Sequence, residues 1–311
     1  MSVGHLDDRL SSLIDAAVDQ RDGADEELAT ELRRRAAPPG TPGAPGVLER
    51  WSDVPVADLA QHADAFAEIH RGDRDGLLIR GVLSPDEAAA FTLRVMAPGL
   101  LHDNVGGALL GTSLLGLPER DGYYREAHAT RRTLDELFGF SFEDRIEAVL
   151  EAVGGGRRAR LPQEGPDQTY LPATVRVLHP RAGGYRSHTG NEFVESYASY
   201  DHLRSIARTV DALSYFVVTQ KPDQGGELVL YDLRWDETPD VFRTEFMTPV
   251  RDARLEAWEK ASVDPEPGDM ILFNGGRIWH KVADIDGGQP RVTVGGFSTL
   301  AADGASIYYW N

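Results

Sequence analysis

The pattern of apolar and polar positions divides the chain into a helical front and a strand-rich back. Residues 6–37 are charged and Ala/Leu-rich, with apolar spacing suited to amphipathic helices, and "PPGTPGAPG" (38–46) breaks them. "VADLAQHADAFAEIHRG" (56–72) predicts another helix. "DGLLIRGVLSPDEAAAFTLRVM" (75–96) reads as a short buried strand, a turn and a helix. Ser84 is its N-cap, Pro85 its first helical residue, and Glu87 completes a capping box. The back half alternates differently. "ATVRVLHP" (173–180), "ALSYFVVTQ" (212–220), "GELVLYDLRW" (226–235), "DMILFNG" (269–275), "HKVADI" (280–285) and "RVTVGGFST" (291–299) are β-rich runs between Gly, Pro and Asp turns. Such a series predicts an antiparallel sandwich or jelly roll with helices on its outside. Residues 1–75 are expected to be a helical elaboration and 76–311 the main domain. No solenoid-type repeat is present.

Composition narrows the chemistry. At 311 residues and 41% hydrophobic, the chain can bury a sizeable core. Cys is absent, so thiolate metal sites, iron–sulfur clusters and cysteine nucleophiles are excluded, and any metal must take His or oxygen ligands. The net charge of −18 argues against polymeric nucleic acid as a partner. No apolar run reaches membrane-spanning length. "MSVGHLDDRLSSLIDAAVDQ" carries acids where a signal peptide carries bases, which points to a cytoplasmic protein.

Within "YRSHTGNEF" (185–193), His188-Thr189-Gly190 has the form His-x-acid with glycine in the acid's place. A second histidine, His280, follows "GDMILFNGGRIW", and Arg291 opens "RVTV". Two imidazoles suit Fe(II) and leave several coordination positions open. An arginine on an interior strand is costly to bury unless an anion pairs with it. Thr293, two residues on, shares its strand face and can add a hydroxyl donor. His62-Ala63-Asp64, with His70 downstream, also spells His-x-Asp, but on helical spacing its residues point apart.

In order, His188, Gly225-Gly226-Glu227-Leu228, Gly268 to Phe273, His280 and Arg291-Val292-Thr293, preceded by "LLIRGVLSPDEAAAF", resemble the Fe(II)/2-oxoglutarate-dependent oxygenase superfamily over roughly residues 76–300. The resemblance implies an α+β fold with a double-stranded β-helix (jelly-roll, cupin-like) core and N-terminal and flanking helices. It implies Fe(II) on His188 and His280, with 2-oxoglutarate on Arg291, Thr293 and His179. Tyr185, Asn191 and Phe193 would line the substrate pocket. A glycine where most members carry the iron carboxylate resembles the freestanding non-haem iron halogenases, which bind a halide in its place. That implies chloride at Gly190, O2 as oxidant, and chlorination of an unactivated C–H bond of a free small molecule. A hydroxylase of the same fold, with water or a carboxylate from elsewhere (Glu192 or Asp201) at the open site, is the second reading. In an extended strand Glu192 lies about 13 Å from His188. A jelly-roll binding protein without iron is the third.

The substrate is the least legible part. Arg181, Arg186, Arg204, Arg208, Arg234, Arg243, Arg251 and Arg254 cluster between 181 and 254, either as a salt-bridged surface or as an anion pocket. A pocket would suit a nucleotide such as deoxyadenosine monophosphate. Indole alkaloids and free amino acids are the other classes met in this type of halogenase. Trp235, Trp258, Trp279 and Tyr231 could stack on a flat ring or belong to the core. The oligomeric state is not readable.

Overall fold

In a computed structural model the described residues are 49–104, 106–114 and 120–311. The helices expected over 6–37 and the breaker at 38–46 lie outside them. The strands are β1 (Trp51–Pro55), β2 (Gly76–Arg80), β3 (His102–Asn104), β4 (Gly107–Leu110), β5 (Arg158–Arg160), β6 (Thr174–Leu178), β7 (Tyr185–His188), β8 (Leu213–Gln220), β9 (Gln224–Gly225), β10 (Leu228–Arg234), β11 (Lys260–Val263), β12 (Met270–Phe273), β13 (Ile278–Val282), β14 (Ile285–Asp286), β15 (Arg291–Leu300) and β16 (Ser306–Trp310). The α-helices are α1 (Ala65–Arg71), α2 (Pro85–Val95), α3 (Arg120–Phe138), α4 (Phe142–Ala152), α5 (Gly190–Ser196), α6 (Asp201–Ile206), α7 (Asp240–Thr244) and α8 (Pro249–Leu255). None of them is long and apolar enough to cross a membrane.

Ten strands form one sheet, whose main path runs β1-β2-β12-β8-β15-β6-β4-β3. A second sheet has the order β11-β10-β13-β7. Strand alternation decides what each face of the large sheet does. Leu77, Ile79, Val175, Val177, Tyr215, Val217, Met270, Leu272, Val292 and Val294 join one apolar cluster with Phe91, Leu134, Phe138 and Ile146 of the helices. The other parity faces the small sheet. Leu78, Ile271 and Phe273 pack against Leu228, Leu230, Val263 and Ile278 across that gap. One end of the space between the sheets is therefore apolar, and the other is left to polar residues of β6, β15, β7 and β13.

The predicted strands are present with ends shifted by a few residues. The run from 226 starts two residues late, because Gly225 and Gly226 take φ of +72° and +79° and turn the chain. The run at 280–285 splits into β13 and β14. The helix expected over 56–72 is broken into a 3₁₀ segment, Val56–His62, and α1. β1 pairs in parallel with β2, so residues 51–55 extend the large sheet. Ser84 caps α2 as expected: its side chain accepts from the Glu87 amide, and the Glu87 carboxylate accepts from the Ser84 amide. Ser84→Ala should cost about 1 kcal/mol and lower Tm by roughly 2 °C. Calorimetry that shows no loss would mean the cap is redundant with packing.

Candidate metal and cosubstrate site

β13 and β7 pair antiparallel with His280 directly opposite His188. The two rings lie 4.3 Å apart between centroids. Their Nδ1 atoms face backbone carbonyls, Arg186 O for His188 and Ile278 O for His280, each at 2.8 Å. A carbonyl only accepts, so Nδ1 carries the proton and Nε2 keeps its lone pair for a ligand. Burial holds His280 down to about 4, and burial together with His280 holds His188 well below its usual value. Both imidazoles are therefore neutral at pH 7. This donor set fits a divalent iron, and the second-sphere carbonyls fix the rings in ligating orientation.

The segment after His188 is not the extended strand assumed in the sequence reading. β7 ends at His188 and α5 begins at Gly190. The Gly190 amide donates to Gly275 O at 2.8 Å and the Asn191 amide to Gly276 O at 3.0 Å. A Cβ on Gly190 would lie 3.0 Å from the Gly276 Cα, tight enough to require backbone movement. Residue 190 thus carries no carboxylate and has little room for one. Neither proposed substitute reaches the histidines in this arrangement. Glu192 is buried and ion-paired with Arg251, and Asp201 is exposed and paired with Arg204. Among the described residues, no group of three or more His, Asp or Glu side chains could hold a metal.

Arg291 and Thr293 share the inward face of β15, as expected. Arg291 is buried, lies 5.2 Å over the Phe216 ring, and reaches Thr293 Oγ1 at 3.5 Å. Its Nη2 is buried with no hydrogen-bond partner among the described residues. Burial, with Arg176 nearby, pulls Arg291 down to about 10. An orphaned guanidinium edge of this kind fits a carboxylate ligand.

The remaining expected residues divide. Tyr185 and Phe193 both touch His188, with ring centroids 5.1 and 5.5 Å away. Asn191 is buried and uses its side chain on Asp211: Nδ2 donates to Oδ1 at 2.7 Å and Oδ1 accepts the Asp211 amide at 2.8 Å. His179 is exposed at the end of β6, on the parity of Val175 and Val177. The β6 residue opposite Thr293 is Arg176. The alternation Val-Arg-Val at 175–177 was the signal for it.

Two residues of α8 hold the histidine strand. Thr248 caps this helix and Pro249 starts it. Wholly buried Arg251 donates to Ser187 O at 2.6 Å and to Glu192 Oε1, and lies 4.8 Å over Trp279. Asp252 accepts the Ser187 amide at 3.0 Å and the Ser187 hydroxyl. Nothing local along the chain signals this clamp, which joins residues about 60 positions apart. The other arginines of the 181–254 stretch form no common pocket. Arg186, Arg204, Arg234, Arg243 and Arg254 pair with Asp252, Asp201, Asp75, Glu195 and Glu245. Beside α5 lies a cavity of about 320 Å³ lined by Glu192, Glu195, Tyr197, Trp235, Arg243 and Phe246. Phe246 meets Phe193 edge-on at 5.7 Å, so the cavity adjoins the histidine pair.

A family model described as the carrier-protein-independent halogenase WelO5 matches residues 48–311. Among solved structures, an N-substituted L-amino acid dioxygenase from Burkholderia ambifaria AMMD is similar at 18% identity and a TM-score of 0.52, over 79% of this chain and 91% of that one. Its complex with alpha-KG gives 20% identity and a TM-score of 0.49, over 79% and 90%. The alpha-ketoglutarate-dependent epimerase SnoN from nogalamycin biosynthesis gives 15% and 0.44, over 76% and 85%. The first of these likenesses is one of fold. No curated protein matches the chain.

Two outcomes are expected from this geometry. Arg251→Met removes the cation paired with a buried carboxylate and should cost about 3–5 kcal/mol in urea unfolding, partly recovered by adding Glu192→Gln. A loss below 1 kcal/mol would remove the clamp. Secondly, His280 titrates near 6.5 when unfolded and near 4 when folded. Between those values the unfolded chain binds more protons, so metal-free protein should lose stability as pH falls from about 6.5 to about 4. His280→Gln should flatten that slope; an unchanged slope would refute the assignment.

Proposed function

The chain belongs to the carrier-protein-independent halogenase WelO5 family and is an enzyme of the Fe(II)/2-oxoglutarate oxygenase class, and from that premise we propose that it halogenates a C–H bond of a free small molecule. We read its two facing sheets as the double-stranded β-helix of that class. The observation that carries the activity is a cross-strand histidine pair followed by Gly190, with the nearby carboxylates Glu192 and Asp201 engaged by arginines. His188 and His280 would hold iron through Nε2. Arg291 and Thr293 would hold the distal carboxylate of 2-oxoglutarate. The absent side chain at Gly190 leaves an iron position for chloride.

Iron with O2 and 2-oxoglutarate supplies an oxidant able to take a hydrogen atom from an unactivated carbon, and the halide replaces that atom. In balance, substrate, chloride, O2, 2-oxoglutarate and a proton give chlorinated substrate, succinate, CO2 and water. The protein's own part is placement. The β7–β13 ladder fixes the imidazoles, and the α8 clamp holds the strand that carries His188. Phe193 lies beside His188 and Phe246 beside Phe193, so apolar rings run from the histidines to the adjoining cavity and would exclude water from the reacting carbon. A nucleotide has lost the support of the arginine run, most of which is spent on carboxylates, so substrates are to be screened by shape against the aromatic cavity.

The test is anaerobic addition of Fe(II) and 2-oxoglutarate, read by the visible metal-to-ligand charge-transfer band with and without chloride. A band that shifts with chloride is expected. A band indifferent to chloride would indicate a hydroxylase, and no band would refute the site. Gly190→Asp should remove the chloride response and chlorination together. Gly190→Ala, equally crowded against Gly276 but without a carboxylate, should keep the response while weakening binding.

A further inference from the structure

We propose that Arg176 is a second anion anchor in the space between the sheets and that it holds the keto-acid carboxylate of 2-oxoglutarate, the end opposite the one held by Arg291. The inference rests on the cosubstrate reading above.

Arg176 sits on β6 directly opposite Thr293 of β15. Its neighbours Val175 and Val177 enter the core beneath the helices, so Arg176 faces the space between the sheets. Its guanidinium lies 4.4 Å over the Tyr185 ring, and that ring lies 5.1 Å from the His188 ring. The side chain therefore extends toward the histidine pair, whereas Arg291 packs over Phe216 on β8. Its charge bears on both Arg291 and His188, so each lies within its electrostatic reach.

What is missing around Arg176 carries the argument. The protein has 50 acidic residues against 32 basic ones. Yet among the described residues no carboxylate pairs with this half-buried arginine and no carbonyl accepts from it. Two guanidinium groups facing one cavity repel each other unless anions lie there. Residue 190 supplies no carboxylate, and the acid whose charge bears on Arg291, Asp264, is exposed and paired with Lys221. A dicarboxylate offers one planar group to each fork, which a spherical halide does not. The stacked Tyr185 ring holds the guanidinium plane and leaves its N–H edge free to donate.

The experiment is calorimetric titration of the anaerobic Fe(II)-loaded protein with 2-oxoglutarate and with pyruvate, a keto acid lacking the distal carboxylate. Arg176→Gln should weaken both by the same factor, about ten- to a hundredfold. Arg291→Gln should weaken 2-oxoglutarate and leave pyruvate unchanged. Arg176→Lys, which keeps charge without the fork, should fall between and serves if the glutamine variant does not fold. Unchanged pyruvate affinity in a folded Arg176 variant would overturn the assignment. So would a variant that loses only the chloride response, which would make the halide the anchored anion. If the parent protein binds neither keto acid, the cosubstrate reading fails first, before any variant is compared.

Discussion

The site depends on one cross-strand pairing. Only if β13 lies against β7 in the observed register does His280 stand opposite His188 on the same sheet face. A slip of one residue would send one imidazole to the opposite face of the small sheet. β7 is an edge strand, four residues long and exposed to slippage, so register has to be secured from outside the ladder. Arg251 and Asp252 do this by taking the Ser187 backbone oxygen and amide, one residue before His188. The amides of Gly190 and Asn191 are tied to the 275–276 turn on the other side. The backbone of His188 is thus held by hydrogen bonds on both flanks, and the Nδ1 bonds of the two histidines set their rings.

The electrostatics of the cavity are complementary to that frame. Burial keeps both imidazoles neutral, which is the form that ligates. It also lowers Arg291 without discharging it at neutral pH, since about 10 is still well above 7. Buried Glu192 is paired within the protein with Arg251. Arg291 and Arg176 bring positive charge to the space between the sheets, in a chain whose overall charge is strongly negative. Such a local inversion attracts small anions while the surface repels polyanions. A halide and a dicarboxylate, the anions of the proposed reaction, are small anions of this kind.

Much of this was legible in one dimension. Freedom from cysteine left only histidine and oxygen as ligands. The order of histidine, turn, histidine and Arg-x-Thr followed from the sequence, as did the shared face of Arg291 and Thr293, because strand parity is a property of the chain alone. The Ser84 cap was equally local. His179, which the resemblance puts at the cosubstrate, shares the parity of Val175 and Val177, and the alternation does not say which face of the strand meets the helices. Arg176 was the inward residue, hidden by the same ambiguity.

Other features had no local signature. That α5 starts at Gly190 is set by hydrogen bonds to residues 275–276. That Glu192 is a structural partner of Arg251, and Asn191 of Asp211, depends on pairings across 59 and 20 residues. The sequence determined which chemistry the chain could perform, because residue type and alternation are fixed by covalent order. Tertiary structure alone decided which charges were consumed in pairs and which were left facing the cavity. A charge's role depends on its nearest opposite charge in space, and packing chooses that partner.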